Sequence, residues 1–173
     1  VLLEYGYVMS GAPDANLPDA SAALSALRIR KDAGEIENMR KAVKVAQNAL
    51  EAALKNFKVG MTEKEFASEL TVQLLRGGSE PEMPFSPIVS GGLNGANAHA
   101  SPSDRPIVQG DLLVIDWGAT VNSYVSDLTR TFAVGDLESE YRKIHEIVQE
   151  ANAAGRAAGK PGVPCANVDI AAR

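Results

Sequence analysis

Histidine and cysteine are scarce in this chain, and the single cysteine limits the compartment in which it is expected. The 173 residues include two histidines, His99 and His145, and one cysteine, Cys165. A lone cysteine cannot form a disulfide within the chain, and disulfides are typical of secreted proteins. We therefore expect an intracellular, cytoplasmic protein.

Further absences exclude two classes of partner. The sequence has no run of ~18 apolar residues, the length that a membrane-spanning helix needs, and it has no signal-peptide pattern at its start. Its formal net charge is −5, and no basic stripe with interleaved aromatic residues occurs. We therefore expect neither a membrane nor a nucleic acid as a partner.

We expect this chain to be part of a longer protein, because both of its ends are predicted to fall within secondary structure. Residues 1–10 are predicted to be a terminal strand, and the Gly-, Pro-, Asn- and Asp-containing segment 11–19 a linker. The segment that ends at Arg173 has the apolar spacing of a helix that is just beginning. We expect residues 1–27 to be the remnant of a preceding domain with its connector, and residues 28–173 to belong to the next domain.

Two capping boxes mark the starts of two helices. Asp32 is followed three positions later by Glu35, and Thr62 is followed by Glu65 in the same way. Apolar residues then recur at steps of three and four, which predicts one helix ending near residue 60 and a second ending at Gly77. A short loop joins them, so they are predicted to form a helical hairpin.

The middle of the chain is predicted to form strands around a long loop. Residues 85–90 are a short strand at most, and residues 91–104 form a Gly- and Asn-rich loop that contains His99. The continuous apolar run Leu112–Ile115 predicts a strand covered on both faces, and Tyr124–Ala133 predicts its antiparallel partner.

A third amphipathic helix is predicted after these strands. Asp136 or Ser139 is its candidate N-cap. Its inward-facing residues are predicted to be Tyr141, Ile144, Ile147, Val148 and Ala151. The order helix, helix, strand, long loop, two strands and helix is typical of an α+β fold with an antiparallel sheet flanked by helices.

A pair of carboxylates is the main chemical feature of the predicted hairpin. The first strand delivers Asp116 and the second carries Asp127, at equal distances from a two-residue turn at Val121 and Asn122. Directly opposed residues hold their Cβ atoms roughly 4.5–5.5 Å apart, where like charges destabilise the sheet. Two ionised carboxylates so placed would favour a cation between them, either Mn²⁺, Mg²⁺ or Ca²⁺, or Zn²⁺ or Co²⁺ if an imidazole joins them.

Plainer interpretations stay open at this point. One aspartate could form an ion pair with Arg130, or a bulge could turn one of them away. His99 could bond locally or face solvent, or its imidazole could stabilise an oxyanion. Trp117 is expected to pack on a sheet face, and Gly118 to mark a bulge or a close backbone approach.

Four segments resemble those of the pita-bread metallopeptidases, a family that includes methionine aminopeptidases, Xaa-Pro aminopeptidases and Xaa-Pro dipeptidases (prolidases). The segments are EIENMRKAVKVAQNAL, FSPIVSGGLNGANAHASPSDRPI, GDLLVIDWGA and YVSDLTRTF. The motif SDLTRT is closer to the proline-directed members than to the methionine aminopeptidases. The resemblance covers residues 27–173, which would form the first half of the pita-bread catalytic domain.

The resemblance implies a metal-dependent exopeptidase that cleaves short peptides at Xaa-Pro bonds. Asp116 and Asp127 match the first two of five ligands to two divalent ions (Mn, Co or Zn), and His99 matches a catalytic histidine that contacts substrate. In the complete protein a metal-bridging hydroxide would attack the scissile carbonyl. The other ligands would lie in the missing C-terminal half, so the fragment alone is expected to be inactive, and the full-length protein is expected to be a homodimer.

Three alternatives follow from the same resemblance. Some pita-bread domains bind peptides or proteins without catalysis, and creatinase-like hydrolases share the fold without metal. Both aspartates argue against these two. A methionine aminopeptidase is the third alternative, and dipeptidase and aminopeptidase are not separated by the sequence.

Overall fold

A computed structural model describes residues 2–15 and 17–173, and its contacts divide the chain into two compact units. The first unit is Val1–Glu37 and the second is Asn38–Arg173. Two helices lie in the first unit, α1 (Leu2–Gly11) and α2 (Ser21–Arg28). The assignment of residues 1–27 to a preceding domain stays a prediction.

The predicted strand at residues 1–10 is wrong, because its described part belongs to α1. Val1 itself lies outside the described residues. A short apolar run fits a strand and a helix equally well when judged by periodicity alone, and the helix is the outcome here.

Both predicted capping boxes are confirmed. Asp32 N–H donates to Glu35 at 2.6 Å, and Glu35 N–H donates to Asp32 at 2.8 Å, at the start of α3 (Ala33–Leu54). Thr62 and Glu65 make the same reciprocal pair at the start of α4 (Glu63–Arg76). Each pair satisfies backbone donors that the first helical turn leaves free. The first of these helices ends at Leu54, earlier than predicted.

The strands are β1 (Ile88–Gly91), β2 (Leu112–Trp117), β3 (Thr120–Val121), β4 (Tyr124–Val125) and β5 (Leu128–Ala133). A three-stranded antiparallel sheet in the order β1, β2, β5 packs against these helices. The two short strands, β3 and β4, form a second ladder at the tip of the hairpin that joins β2 to β5. A 3-10 turn over Gly92–Ala96 follows β1. The α+β class with an antiparallel sheet agrees with the sequence.

Strand β2 has one buried face and one half-buried face, so the predicted cover on both faces is only partly correct. Leu113, Ile115 and Trp117 are at most 2% exposed, whereas Asp116 on the other face is half-buried. The buried face packs on apolar residues of α3 and α4, which include Ala46, Ala49, Leu50, Ala53, Phe66, Leu70 and Leu74. The sheet therefore presents its second face, with Asp116, away from the core.

Helix α5 (Ser139–Ala158) has the predicted apolar stripe, but that stripe does not face inward within the described residues. Ile147 is 55% exposed and Val148 is 60% exposed. The helix packs instead on α6 (Ala166–Ala172). Its N-cap is Glu138, without a side-chain capping bond, so the predicted caps are wrong. No helix in the described part of the chain is long and apolar enough to cross a membrane.

Candidate metal centre

Strands β2 to β5 and the turns between them form the hairpin that carries Asp116 and Asp127, which we call the acidic hairpin. The turn between β3 and β4 sets its register. Asn122 and Ser123 form the turn, with φ of 49° and 65°. Positive φ at both central positions is the conformation of a type I′ turn, which matches the twist of paired strands. Val121 pairs with Tyr124, so the predicted turn at Val121 and Asn122 is displaced by one residue.

This displacement changes the residue opposite Asp116. Asp116 pairs with Thr129 and not with Asp127, so the prediction of directly opposed carboxylates is wrong. Moving the turn by one residue shifts the pairing by two, and a two-residue shift keeps each side chain on its face. Asp127 is therefore a diagonal neighbour of Asp116 on the same face, where such neighbours lie roughly 7–8 Å apart and their Cβ atoms are somewhat closer.

The ladders show that no bulge separates the two aspartates. Two residues on each strand lie between the Trp117–Leu128 pair and the Thr120–Val125 pair. A bulge would place unequal numbers of residues on the two strands. Gly118 marks the predicted close backbone approach, because a Cβ there would overlap the Ser126 carbonyl oxygen and meet Pro84 Cγ at 2.7 Å.

One carboxylate oxygen of Asp116 is buried without a hydrogen-bond donor within the described ranges of the chain. Its Oδ1 is buried and has no hydrogen-bond partner among the described residues, while Thr129 makes a side-chain hydrogen bond to the carboxylate. Burial raises the pKa of Asp116, and the nearby negative charge of Asp127 adds to that, against the hydrogen bond from Thr129. A buried oxygen without a donor fits a divalent cation, which prefers carboxylate oxygen.

His99 and Asp127 are the other two predicted site residues, and both lie near Asp116. Both side chains are exposed, and both act electrostatically on Asp116. The backbone N–H of His99 donates to Asn97 Oδ1 at 3.1 Å, which holds a turn in the loop. The three residues singled out from the sequence therefore lie around one end of β2.

Arg130 does not join this group. It pairs with Ile115 in the ladder, so it projects from the opposite face of β5 relative to Thr129. Its guanidinium donates to the Thr129 carbonyl at 2.7 Å. The ion pair considered as an alternative is therefore not formed with Asp116.

A buried carboxylate, which the sequence reasoning missed, holds the loop that carries His99. Glu63 is 0% exposed and accepts from the Gly91 N–H at 2.8 Å and from Asn94 Nδ2 at 3.0 and 3.1 Å. It also accepts from the Ser103 N–H at 3.0 Å and from its hydroxyl at 2.6 Å. Burial alone would raise the pKa of Glu63, but these donors lower it below its usual value. The only sequence signal was its place directly after the N-cap Thr62.

A partly buried ion pair closes the same loop. Arg105 makes two hydrogen bonds to Asp111, at 2.8 and 2.7 Å, in the bidentate geometry of a strong ion pair. Gly91 and Gly92 lie against this pair, since a Cβ at either position would come within 3.0 Å of it. Both ends of the His99 loop are thus fixed to the sheet and to α4.

The residues on this face fit a metal, but they do not enclose one. Among residues 2–15 and 17–173, no group of three or more His, Cys, Asp or Glu side chains is arranged to hold a metal ion. Asp116 and Asp127 offer oxygen ligands on one face, with a buried free oxygen at Asp116. The chain therefore supplies part of a donor set for divalent ions.

Comparison with known proteins identifies the family. A profile described as metallopeptidase family M24 matches residues 37–173. The chain belongs to this family. Members of the family generally use divalent metals, which agrees with the carboxylates at the end of β2.

Relatives of this M24 chain have names that refer to Xaa-Pro peptides. It is 40% identical over 147 residues to an Xaa-Pro dipeptidase of Pyrococcus furiosus, which is 85% of this chain and 42% of the relative. The crystal structure of a prolidase from Pyrococcus horikoshii matches with a TM-score of 0.89 and 33% identity, over 97% of this chain and 49% of that one. An X-Pro aminopeptidase structure from Thermotoga maritima matches with a TM-score of 0.88 and 31% identity, over 99% and 49%.

These matches confirm the pita-bread fold that the resemblance implied. They also show that the M24 chain spans less than half the length of these relatives. The activity, substrates and partners of the whole protein are therefore matters for proposal.

Proposed function

We propose that this chain is the first half of the catalytic domain of an Xaa-Pro metallopeptidase that cleaves short peptides at the bond before proline. The observation that carries the proposal is the buried free oxygen of Asp116 on the same sheet face as Asp127. Membership of family M24 and relatives named Xaa-Pro dipeptidase support it.

Each residue of the face has a role in this proposal. Asp116 and Asp127 bind two divalent ions (Mn, Co or Zn), and the Thr129 hydrogen bond orients the Asp116 carboxylate. When bound, such ions activate a water for attack at neutral pH and polarise a carbonyl oxygen. His99 contacts the substrate and stabilises the charge that develops on the carbonyl oxygen of the scissile bond.

The proposed partners are a second half of the same domain and, in the full-length protein, a second copy of it. The exposed apolar residues of α5, such as Ile147 and Val148, support a covering partner. The second half would provide the remaining metal ligands. The lone cysteine, Cys165, supports a cytoplasmic location.

The test compares aspartate variants of the complete protein with a matched control. Asp116→Asn and Asp127→Asn should each lower activity on Ala-Pro, assayed with Mn²⁺, by on the order of a hundredfold or more, because even partners outside the ligand set cost about 10–100-fold in metal affinity. Asp169→Asn removes an exposed carboxylate on α6 and should leave activity unchanged. Unchanged activity in both site variants would refute the proposal.

Substrate comparison separates the remaining activities. A dipeptidase cleaves Ala-Pro and spares Ala-Pro-Ala, whereas an aminopeptidase cleaves the tripeptide. Release of Met from Met-Ala-Ala without cleavage before proline would indicate a methionine aminopeptidase instead. Peptide binding without any cleavage would indicate a non-catalytic binding module.

A further inference from the structure

Two side chains of the acidic hairpin are hydrogen-bonded to helix α3. The indole Nε1–H of Trp117 donates to the Ala46 carbonyl at 2.8 Å, and the Ser126 hydroxyl donates to the Ala42 carbonyl at 3.1 Å. Trp117 is 1% exposed and Ser126 is 4% exposed. These are long-range contacts, formed across 71 and 84 residues of sequence.

We call Trp117 and Ser126 the anchors of the hairpin. Each anchor is next to one aspartate in the chain. Trp117 follows Asp116 directly, and Ser126 precedes Asp127 directly. Because successive side chains of a strand point to opposite faces, an anchor on the α3 side directs its neighbour to the other face. The two anchors and the two aspartates therefore lie on opposite sides of the same short piece of backbone.

The anchors act where the β ladders leave a gap. The ladder of β2 and β5 ends at the Trp117–Leu128 pair, and the next ladder pair is Thr120–Val125. Within this gap Ser126 joins the strands. Its N–H donates to the Ala119 carbonyl at 2.9 Å, and its hydroxyl accepts from the Ala119 N–H at 3.0 Å.

Helix α3 provides the two hydrogen-bond acceptors, which are the backbone carbonyls of Ala42 and Ala46. Ala42 and Ala46 are four residues apart on one face, so their carbonyls are separated by about 6 Å along the helix axis, slightly more than one turn. Both residues are 0% exposed, and their small side chains let the hairpin approach the helix closely. A carbonyl that already accepts within the helix can accept a second bond, since it has two lone pairs.

We propose that Trp117 and Ser126 are positioning residues that set the relative placement of the Asp116 and Asp127 carboxylates for divalent cations. Helix α3 transmits this placement through its carbonyls one turn apart. The inference rests on the proposed function, since it assigns a role in the same metal site.

The matched control is a second buried serine, which also bonds to the hairpin but is not adjacent to either aspartate. Ser126→Ala removes a hydroxyl that accepts from a backbone N–H and donates to a carbonyl. Ser79→Ala removes the same type of bridge, since Ser79 accepts from the Thr120 N–H and donates to the Glu80 carbonyl, both at 3.0–3.1 Å. Ser79 is 7% exposed and has no aspartate next to it in the chain.

A second pair of variants tests the other anchor. Trp117→Phe keeps an aromatic ring in the core and removes the indole donor. Phe66→Leu alters a core aromatic of α4 that is 0% exposed and does not follow or precede an aspartate. All variants are made in the complete protein, and each is assayed for its Mn²⁺ dissociation constant, the visible absorption of its Co²⁺-loaded form and its denaturation midpoint.

We expect Ser126→Ala and Trp117→Phe each to weaken Mn²⁺ binding about tenfold and to change the Co²⁺ spectrum, as outer partners of metal ligands do. Ser79→Ala and Phe66→Leu should lower the denaturation midpoint without either change. Equal Mn²⁺ affinity in anchor and control variants would overturn the inference and leave the proposed function standing. Absence of Mn²⁺ binding by the unmodified protein would refute both.

Discussion

At the scale of single residues, Gly118 shows how little space the acidic hairpin leaves. It lies between Trp117 and Ala119 in the gap between the two ladders, and every residue from 117 to 120 is buried. A Cβ on Gly118 would overlap a backbone carbonyl oxygen, which cannot move aside as the end of a flexible side chain can. Glycine is therefore required here by a close approach of two strands.

Gly118→Ala is expected to destabilise the fold and the proposed metal site together. The added methyl group must separate the strands or displace Pro84, and overpacking of this kind costs about 1–3 kcal/mol. Urea denaturation of the complete protein measures the loss. Mn²⁺ titration should show weaker binding, because Asp127 lies in the gap opposite Gly118 and Asp116 lies two residues before Gly118.

Gly159→Ala is the control for this change. Gly159 ends α5 with a negative φ, and a Cβ there would make only ordinary contacts at 3.7–3.8 Å. Its effect should stay within about 0.5 kcal/mol. If Gly118→Ala were as mild as Gly159→Ala, the close approach at Gly118 would not constrain the hairpin.

At the scale of elements, the turn at Asn122 and Ser123 decided the register of the candidate site. Asn tolerates positive φ better than a β-branched residue such as Val121 does, so the sequence did contain a signal for the true turn position. The turn was predicted at Val121 and Asn122 because Asp116 and Asp127 are equally distant from that pair. This error shifted the predicted pairing by two residues, so Asp127 was still placed on the face of Asp116, but Thr129 was not recognised as the residue opposite Asp116.

The loop that carries His99 depends on the ionised state of Glu63, and this gives a pH prediction. Its folded-state pKa is lowered, so its contribution to stability is present above the unfolded value of about 4.3 and is lost as the pH falls through the folded value. Denaturation midpoints should therefore fall as the pH is lowered below about 4.3. Glu63→Gln should cost about 1–3 kcal/mol at neutral pH, because its amide cannot accept all of these donors.

Glu69→Gln is the matched control on the same helix. Glu69 is partly exposed and, among the described residues, accepts from the Asn56 and Gln73 side chains, which water can replace. These hydrogen bonds lower the pKa of Glu69 as well, but solvent screens a partly exposed carboxylate. We therefore expect an effect within about 0.5 kcal/mol and a smaller change in the pH profile than for Glu63→Gln. Similar losses for both glutamine variants would mean that burial of Glu63 adds nothing to the loop's stability.

At the scale of the whole molecule, this chain presents a face with two carboxylates, Asp116 and Asp127, which are fewer ligands than the proposed dinuclear metal site needs. In the part of the chain that the structure describes, no three ligating side chains form a site, and helix α5 exposes apolar residues. Both features agree with a domain whose second half provides ligands and cover, as we propose.

The 173-residue chain by itself should neither hold two metal ions tightly nor hydrolyse Ala-Pro. Two carboxylates give few oxygens to a pair of ions, each of which prefers about six ligands. Isothermal titration with Mn²⁺ measures this, with the Asp116→Asn, Asp127→Asn double variant as the blank. Two tight sites on the unmodified chain, absent from the double variant, would contradict the expectation.

Features that form within one turn of backbone could be predicted from the sequence alone. The capping pairs Asp32–Glu35 and Thr62–Glu65 join residues three positions apart, so local geometry closes them whatever surrounds the helix. The three candidate site residues also followed from the sequence, because their motif spacing resembles that of a known family.

The groups that surround those residues could not be predicted in the same way, because they come together only in the folded chain. The donors to Glu63 come from 28 to 40 residues away, and Trp117 and Ser126 reach α3 across 71 and 84 residues. Such pairs depend on the register of the sheet and on how the helices pack against it. A one-residue difference in a turn changes every pairing in the hairpin that it joins, which is why Thr129, and not Asp127, lies opposite Asp116.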